Sequence, residues 1–208
     1  MSVTSNLPLF LAAALVVAAT PGPGIFYVAA RTLAGGRHEG VASSIGLGLG
    51  GLVHVTAGAI GLSALVMASA EAFTAVKIFG AAYLVWLGVK AWREARIAWP
   101  VEVRTTGSRQ ALREGIMVEA LNPKTAAFFL AFIPQFVDPS QPIAAQFVVL
   151  GLISVGLNTT ADIVVTYAAA VARRGLQERP SLIVRARQTS GAVMCGLGAS
   201  LLFARRST

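Results

Sequence analysis

Long apolar stretches alternate with short polar gaps along the chain, at residues 7–30, 41–67, 73–92, 111–133, 143–170 and 190–204. Each is too apolar throughout, and too poor in charge, to be an amphipathic helix lying on a soluble core. At 1.5 Å rise per residue, runs near 20 residues match a hydrocarbon layer about 30 Å thick. The pattern predicts an all-α polytopic membrane protein with six transmembrane helices. The last run is the shortest, and over residues 190–204 it reaches only about 22 Å, so five spans is the alternative. No Lys or Arg precedes Arg31, so the first run reads as a retained span and not as a secretory signal.

Composition sharpens this reading. Of 208 residues 55% are hydrophobic and 12% charged, with mean hydropathy +0.70, whereas soluble domains carry about 25% charged residues. A soluble globular protein is excluded. Six spans use roughly 120 positions, which makes residues 1–208 a single transmembrane domain. The lone Cys195 leaves no disulfide framework, multi-cysteine metal site or iron–sulfur cluster, and no cofactor or metal is expected.

The net charge of +8 does not point to nucleic acid, because the basic residues fall in the gaps and not along one helical face. They read as orientation signals. The first, third and fifth gaps and their flanks, including Arg31, Arg37, Lys90, Arg93, Arg185 and Arg187, hold 13 Lys and Arg, against 3 on the other side, namely Lys77, Arg205 and Arg206. The positive-inside rule then puts the basic linker 93–110 in the cytoplasm and both termini outside.

An offset of 102 carries Pro21 to Pro123 and Val41 to Ile143, the starts expected for corresponding segments. Residues 7–92 and 111–204 are therefore expected to form two inverted three-helix repeats, an architecture common among secondary transporters.

Two interruptions lie inside these runs. Thr20-Pro21-Gly22-Pro23-Gly24 removes two backbone donors and adds two flexible residues, so the first helix is expected to break. The bland alternative is a simple proline kink. Broken backbone at membrane depth is tolerated only where protein or a water-filled cavity satisfies it. Asn122-Pro123-Lys124 interrupts the fourth run, and a lysine at the bilayer centre costs about 2.5–3.5 kcal/mol unless it faces a partner or water. The alternative is a lysine that snorkels to an interface.

Other polar residues stand at comparable depth: His54, Glu119, Asn158 and Asp162, the last two one helical turn apart. His54 suits packing as well as it suits a site. The expected substrate-binding set is Pro21, Gly22, Pro23, Gly24, Asn122, Pro123, Lys124 and Asn158, with Asp162, Glu119 and His54 as proton-coupling candidates. A half-helix starting after Pro23 or Pro123 would turn its positive end toward a carboxylate, while Asp162 or Glu119 receives an amino group or a proton. The glycines of the second run, including Gly46, Gly48, Gly50, Gly51, Gly58 and Gly61, lack the strand–turn–helix context of a phosphate loop and fit close helix packing.

These fragments, in this order, resemble the family of lysine exporters (LysE) and threonine/homoserine exporters (RhtB). They are Thr20-Pro21-Gly22-Pro23 with Arg31 and Gly35-Gly36-Arg37, the glycine-rich second run, and Gly80-Ala81-Ala82-Tyr83-Leu84 with Leu87-Gly88. Further on come Gly115 with Leu121-Asn122-Pro123-Lys124, then Phe128 to Phe136, and the ending Gly196-Leu197-Gly198 with Arg205-Arg206. The resemblance implies a secondary transporter, not an enzyme, of the bacterial inner membrane that exports amino acids or close derivatives from the cytoplasm by proton antiport. Its expected partners are the amino-acid substrate, the proton and membrane lipid, with homo-oligomer formation left open. A passive channel or facilitator for small polar solutes is the alternative. Two positions depart from the family pattern, Gly24 and Glu119, where an Asn is frequent in both cases, and both fall at the expected site.

Overall fold

The computed structural model describes residues 3–68, 70–95, 105–138, 140–171 and 180–203, and all regular structure among them is helical. The chain runs through α1 (Val3–Ala19), α2 (Pro23–Ala68), α3 (Ala70–Arg93), α4 (Ser108–Ala120) and α5 (Pro123–Ala127). After a π-helical turn (Phe128–Phe132) and a 3-10 turn (Ile133–Phe136) come α6 (Ile143–Val171) and α7 (Pro180–Phe203).

Both expected breaks are present. Helix α1 stops at Ala19 and α2 starts at Pro23, while α4 and the Pro123–Phe136 segment meet at 41°. Pro134 explains why the second segment does not stay α-helical, since it lacks an N–H and its ring clashes with the carbonyl four residues back. The backbone answers with a π turn before it and a 3-10 turn around it.

The loop expected around Arg31–Arg37 is not a loop. Helix continues on both sides of a single non-helical residue, Gly36, with φ 78° and ψ −174°. Nothing lies within 4 Å of where its Cβ would be, so it is the backbone conformation, and not space, that calls for glycine. As one rod, Pro23–Gly61 would be roughly 58 Å long, twice the hydrocarbon thickness. Instead the chain folds back. The Cβ position of Gly24 lies 3.4 Å from the Leu47 side chain, and that of Gly40 collides with Thr32, so the two arms of α2 form an antiparallel hairpin about Gly36.

A second correction concerns the last run. Helix α7 begins at Pro180, so Arg185 and Arg187, assigned to a loop by hydropathy, lie on the helix. Arginine is a good helix former, and hydropathy marks where a helix meets lipid, not where it starts. By length and mean hydropathy the candidate crossings among the described residues are Ile143–Val171, the Pro23–Gly61 segment that Gly36 divides into two arms, and the bent pair Ser108–Ala120 with Pro123–Phe136. The membrane-helix expectation holds for these, while the six-span repeat goes beyond them.

The second arm of α2 packs between α4 and α6, and α3 packs on α7. Glycines set these distances. A Cβ at Gly46 or Gly50 would strike the carbonyls of Leu112 or Ile116 on α4, one at Gly58 would strike the Phe147 ring on α6, and Gly88 and Gly191 press on each other's backbones between α3 and α7. Gly61 has nothing near it and takes no part in this packing. The outside of the bundle is apolar, with Phe79 75% and Ile60 70% exposed, as a lipid-facing surface requires.

The interior is layered. Toward the Gly36 turn lies a polar cluster. Arg31, 5% exposed, pairs with Glu114, sits 3.6 Å from Glu39 and donates to Thr106 Oγ1 (2.7 Å) and Tyr27 Oη (3.2 Å). Glu39 Oε1 accepts the backbone N–H groups of Thr106 and Gly107, which ties the hairpin to the start of α4. Beneath it is a layer of fully buried hydroxyls, Thr32, Ser43, Ser44 and Thr166, with Ser44 and Thr166 3.2 Å apart. The opposite end is aromatic: Phe10, Phe128, Phe129, Phe132, Phe136 and Phe147 interlock with centroid spacings of 5.1–6.2 Å. There the connection into α6 is held by Gln146, which binds Asp138 through both its amide groups. The Ser140 hydroxyl and N–H donate to Asp138 and hold its carboxyl below the usual carboxylate range.

Candidate functional site

The two breaks meet between the hydroxyl layer and the aromatic end. Helix α1 ends with carbonyls that have no helical partner; Thr20 reaches two of them, its hydroxyl donating to Val16 O (2.6 Å) and its N–H to Val17 O (3.2 Å), and a second side chain comes from the other break. Lys124 Nζ donates to Val17 O (3.2 Å) and Thr20 O (3.0 Å), and Lys124 is 7% exposed. Its stem passes the Cβ position of Gly22 at 3.2 Å, so a larger residue at 22 would push it away. The lysine neither snorkels nor stands free: it acts as a charged C-terminal cap on α1.

The second break closes on itself. The Asn122 side-chain carbonyl accepts the Lys124 N–H (3.1 Å), the usual N-cap bond, and Pro123 at the first helical position needs no acceptor. Of the donors expected to be free at this helix start, Pro123 has none and that of Lys124 is taken. The other end of the Asn122 amide donates to Glu119 Oε2 (2.8 Å), and Thr125 Oγ1 donates to Glu119 Oε1 (2.6 Å). Glu119, 8% exposed, is thus held by one hydrogen bond to each oxygen, as a buried carboxylate requires. Its backbone carbonyl contacts His54 Nε2 at 2.8 Å, and the His54 ring packs on Phe129.

Asp162 differs from both. It is 6% exposed on α6, within electrostatic range of Glu119 and Lys124, and it makes no hydrogen bond or salt bridge to another described residue. It lines a chamber together with Gly24, Glu119, Asn122, Lys124 and Asn158, and with Gly48, Gly51, Thr125, Phe129 and Thr159. The Asn158 amide donates back to Ser154 O at 2.8 Å. The chamber holds about 20 Å³, room for about one water. Its shape depends on a missing side chain, since Glu119 Oε2 stands 3.3 Å from the Cβ position of Gly24.

The expected residues therefore divide. Gly24, Asn122, Lys124, Asn158, Asp162 and Glu119 surround the polar chamber. Pro21, Gly22, Pro23 and Pro123 line a different cavity, of about 220 Å³, on the α3 side, and Lys124 is the wall common to both. His54 lines neither and supports Glu119 from behind. Thr125, the donor to Glu119, was not anticipated: it lies six positions on, across a break, where no helical periodicity connects them. Nor was the burial of Arg31, which a count of loop charges treats as solvated.

Known proteins give this geometry a context. The profile of the LysE type translocator family matches residues 15–205. An uncharacterized membrane protein of Vibrio cholerae is 34% identical over 94% of this chain and 96% of its own length. A homoserine/homoserine lactone efflux protein of Salmonella typhimurium is 34% identical over 79% of each chain. A threonine efflux protein of Escherichia coli is 26% identical over 96% of this chain and all of its own length. No solved structure matches the chain.

Proposed function

The chain belongs to the LysE type translocator family, whose members are transporters and not enzymes, and from that premise we propose that it exports amino acids or close derivatives from the cytoplasm by proton antiport. Relatives named for homoserine, leucine and threonine efflux support the substrate class. The observation that carries the reading is the chamber where two broken helices meet. It contains one carboxylate fully engaged by neighbours, one carboxylate with no hydrogen bond to a described residue and one lysine committed to backbone carbonyls.

In this reading Asp162 takes the coupling proton or the substrate ammonium, since of the two carboxylates lining the chamber it is the one without a hydrogen bond to a described residue. Glu119 adds negative charge beside Gly24, and Asn122 and Asn158 offer amide groups along the wall. A chamber with room for about one water belongs to a closed state, so substrate loading requires the helices around it to part. The expected architecture is two inverted repeats of three spans in the inner membrane, with both termini periplasmic. The repeated order of helix, break, half-helix and long helix in α1–α2 and α4–α6 supports it.

The decisive experiment is a panel of amino acids in proteoliposomes with and without an imposed pH gradient. Antiport predicts accumulation against the substrate gradient only when the pH gradient is present, whereas a passive channel gives flux indifferent to it. The orientation is tested by a cysteine at Thr105 on a Cys195-free background. It should resist an impermeant reagent in intact cells, and strong labelling would overturn the topology.

A further inference from the structure

The cavity of about 220 Å³ beside the breaks has no role in the chamber chemistry, yet it is the roomier of the two. It exceeds the ~150 Å³ that suffices for benzene. Its wall is largely apolar, with Pro21, Pro23, Phe26, Leu87 and Met194 contributing, and two opposite charges stand at its rim, Lys90 and Glu94 of the α3 end. Spaced four residues apart on a helical end, such charges commonly pair. Here they do not. Lys90 Nζ lies over the Trp86 ring, 5.2 Å from its centroid, and Glu94 makes no salt bridge to a described residue. An apolar pocket with an uncombined cation and anion at its mouth is complementary to a zwitterion that carries a hydrocarbon side chain. At the back stands Lys124, whose other side faces the polar chamber.

We propose that this cavity is a second substrate site, an antechamber that receives a zwitterionic amino acid with an aliphatic side chain before it reaches the polar chamber. The side chain fills the apolar pocket, the carboxylate faces Lys90 and the ammonium faces Glu94. Lys124 is the partition, and passage requires its ammonium to leave the carbonyls of Val17 and Thr20. The proposal rests on the exporter reading and names its substrate class.

The test uses the full chain in proteoliposomes with L-leucine, its decarboxylated analogue isoamylamine and its deaminated analogue 4-methylvalerate, and measures binding to the purified protein by equilibrium dialysis. Ala91→Trp, which fills the cavity, should raise the KM for L-leucine about tenfold and lower bound L-leucine from two per chain to one. Lys90→Gln should weaken L-leucine and 4-methylvalerate but leave isoamylamine unchanged, and Glu94→Gln should weaken L-leucine and isoamylamine but leave 4-methylvalerate unchanged. If Ala91→Trp fails to fold, Leu87→Trp and the two rim variants carry the same expectations. Export by the parent with a KM unmoved in the filled and rim variants overturns the antechamber and leaves the exporter reading standing. A parent that carries no amino acid of the panel overturns the exporter reading, and dialysis then decides the antechamber: no bound L-leucine, or binding indifferent to Ala91→Trp, overturns it as well.

Discussion

The two helix breaks solve the same problem by opposite means. At 121–122 the chain is self-sufficient: Asn122 caps the helix that follows it, and Pro123 removes a donor that would otherwise need a partner. At 20–22 the chain meets only part of the need: Thr20 donates its hydroxyl to Val16 O (2.6 Å) and its N–H to Val17 O (3.2 Å), while Lys124 of the other break donates to Thr20 O and gives Val17 O a second donor. The second break is therefore a local motif, and the first is held open by tertiary structure. An element held by one buried ammonium can be released by moving that group, which a self-capped break cannot do.

The largest effect should come from removing the shared group. Lys124→Met leaves Thr20 O without the lysine donor, Val17 O with only the Thr20 N–H, and two buried carboxylates without a counter-charge. Losing one partner of a buried charged set costs about 3–5 kcal/mol. Export should vanish and thermal unfolding in detergent should shift down clearly. A variant as stable as the parent would mean that the first break does not depend on this lysine.

Rewinding the dependent break should abolish export at little cost in stability. Pro21→Ala with Pro23→Ala lets α1 run on, satisfies the carbonyls internally and leaves Lys124 with the charges of Glu119 and Asp162. Insertion and helix content by circular dichroism should match the parent. Normal export by the double variant would show that the break itself is dispensable.

Asp162 belongs to neither break, and its neutral form should separate coupling from binding. Asp162→Asn should keep substrate exchange between equal pools while losing accumulation driven by a pH gradient. Accumulation near the parent rate would move the coupling proton to Glu119 or His54.

The smallest effect is expected at the self-capped break. Asn122→Ala removes one cap, worth about 1 kcal/mol, and one of two donors to Glu119, while Thr125 retains the other. Export should fall several-fold without being lost. A collapse as complete as that of Lys124→Met would erase the distinction between the breaks.

Much of this was determined by the sequence alone, where the rule is local. Two prolines and two glycines in five residues favour a break over a simple kink, so the interruption after Thr20 is legible in the sequence, as are the apolar runs. The depth of Glu119, Asn158 and Asp162 followed from counting along those runs, and all three reach one chamber. Other features were decided only by tertiary structure. The turn at Gly36 was hidden because helical residues flank it on both sides and its signal is a single φ value. The carbonyls that Lys124 caps lie 104 and 107 positions away, and Glu119 takes its second donor from across a break. Lys90 reads in the sequence as an orientation signal, yet in the fold it lines a cavity together with Glu94. The physical reason is common to these last cases: helix formation and breakage depend on neighbours along the chain, whereas a buried charge is satisfied through space by whatever donor or acceptor the fold brings within about 3 Å.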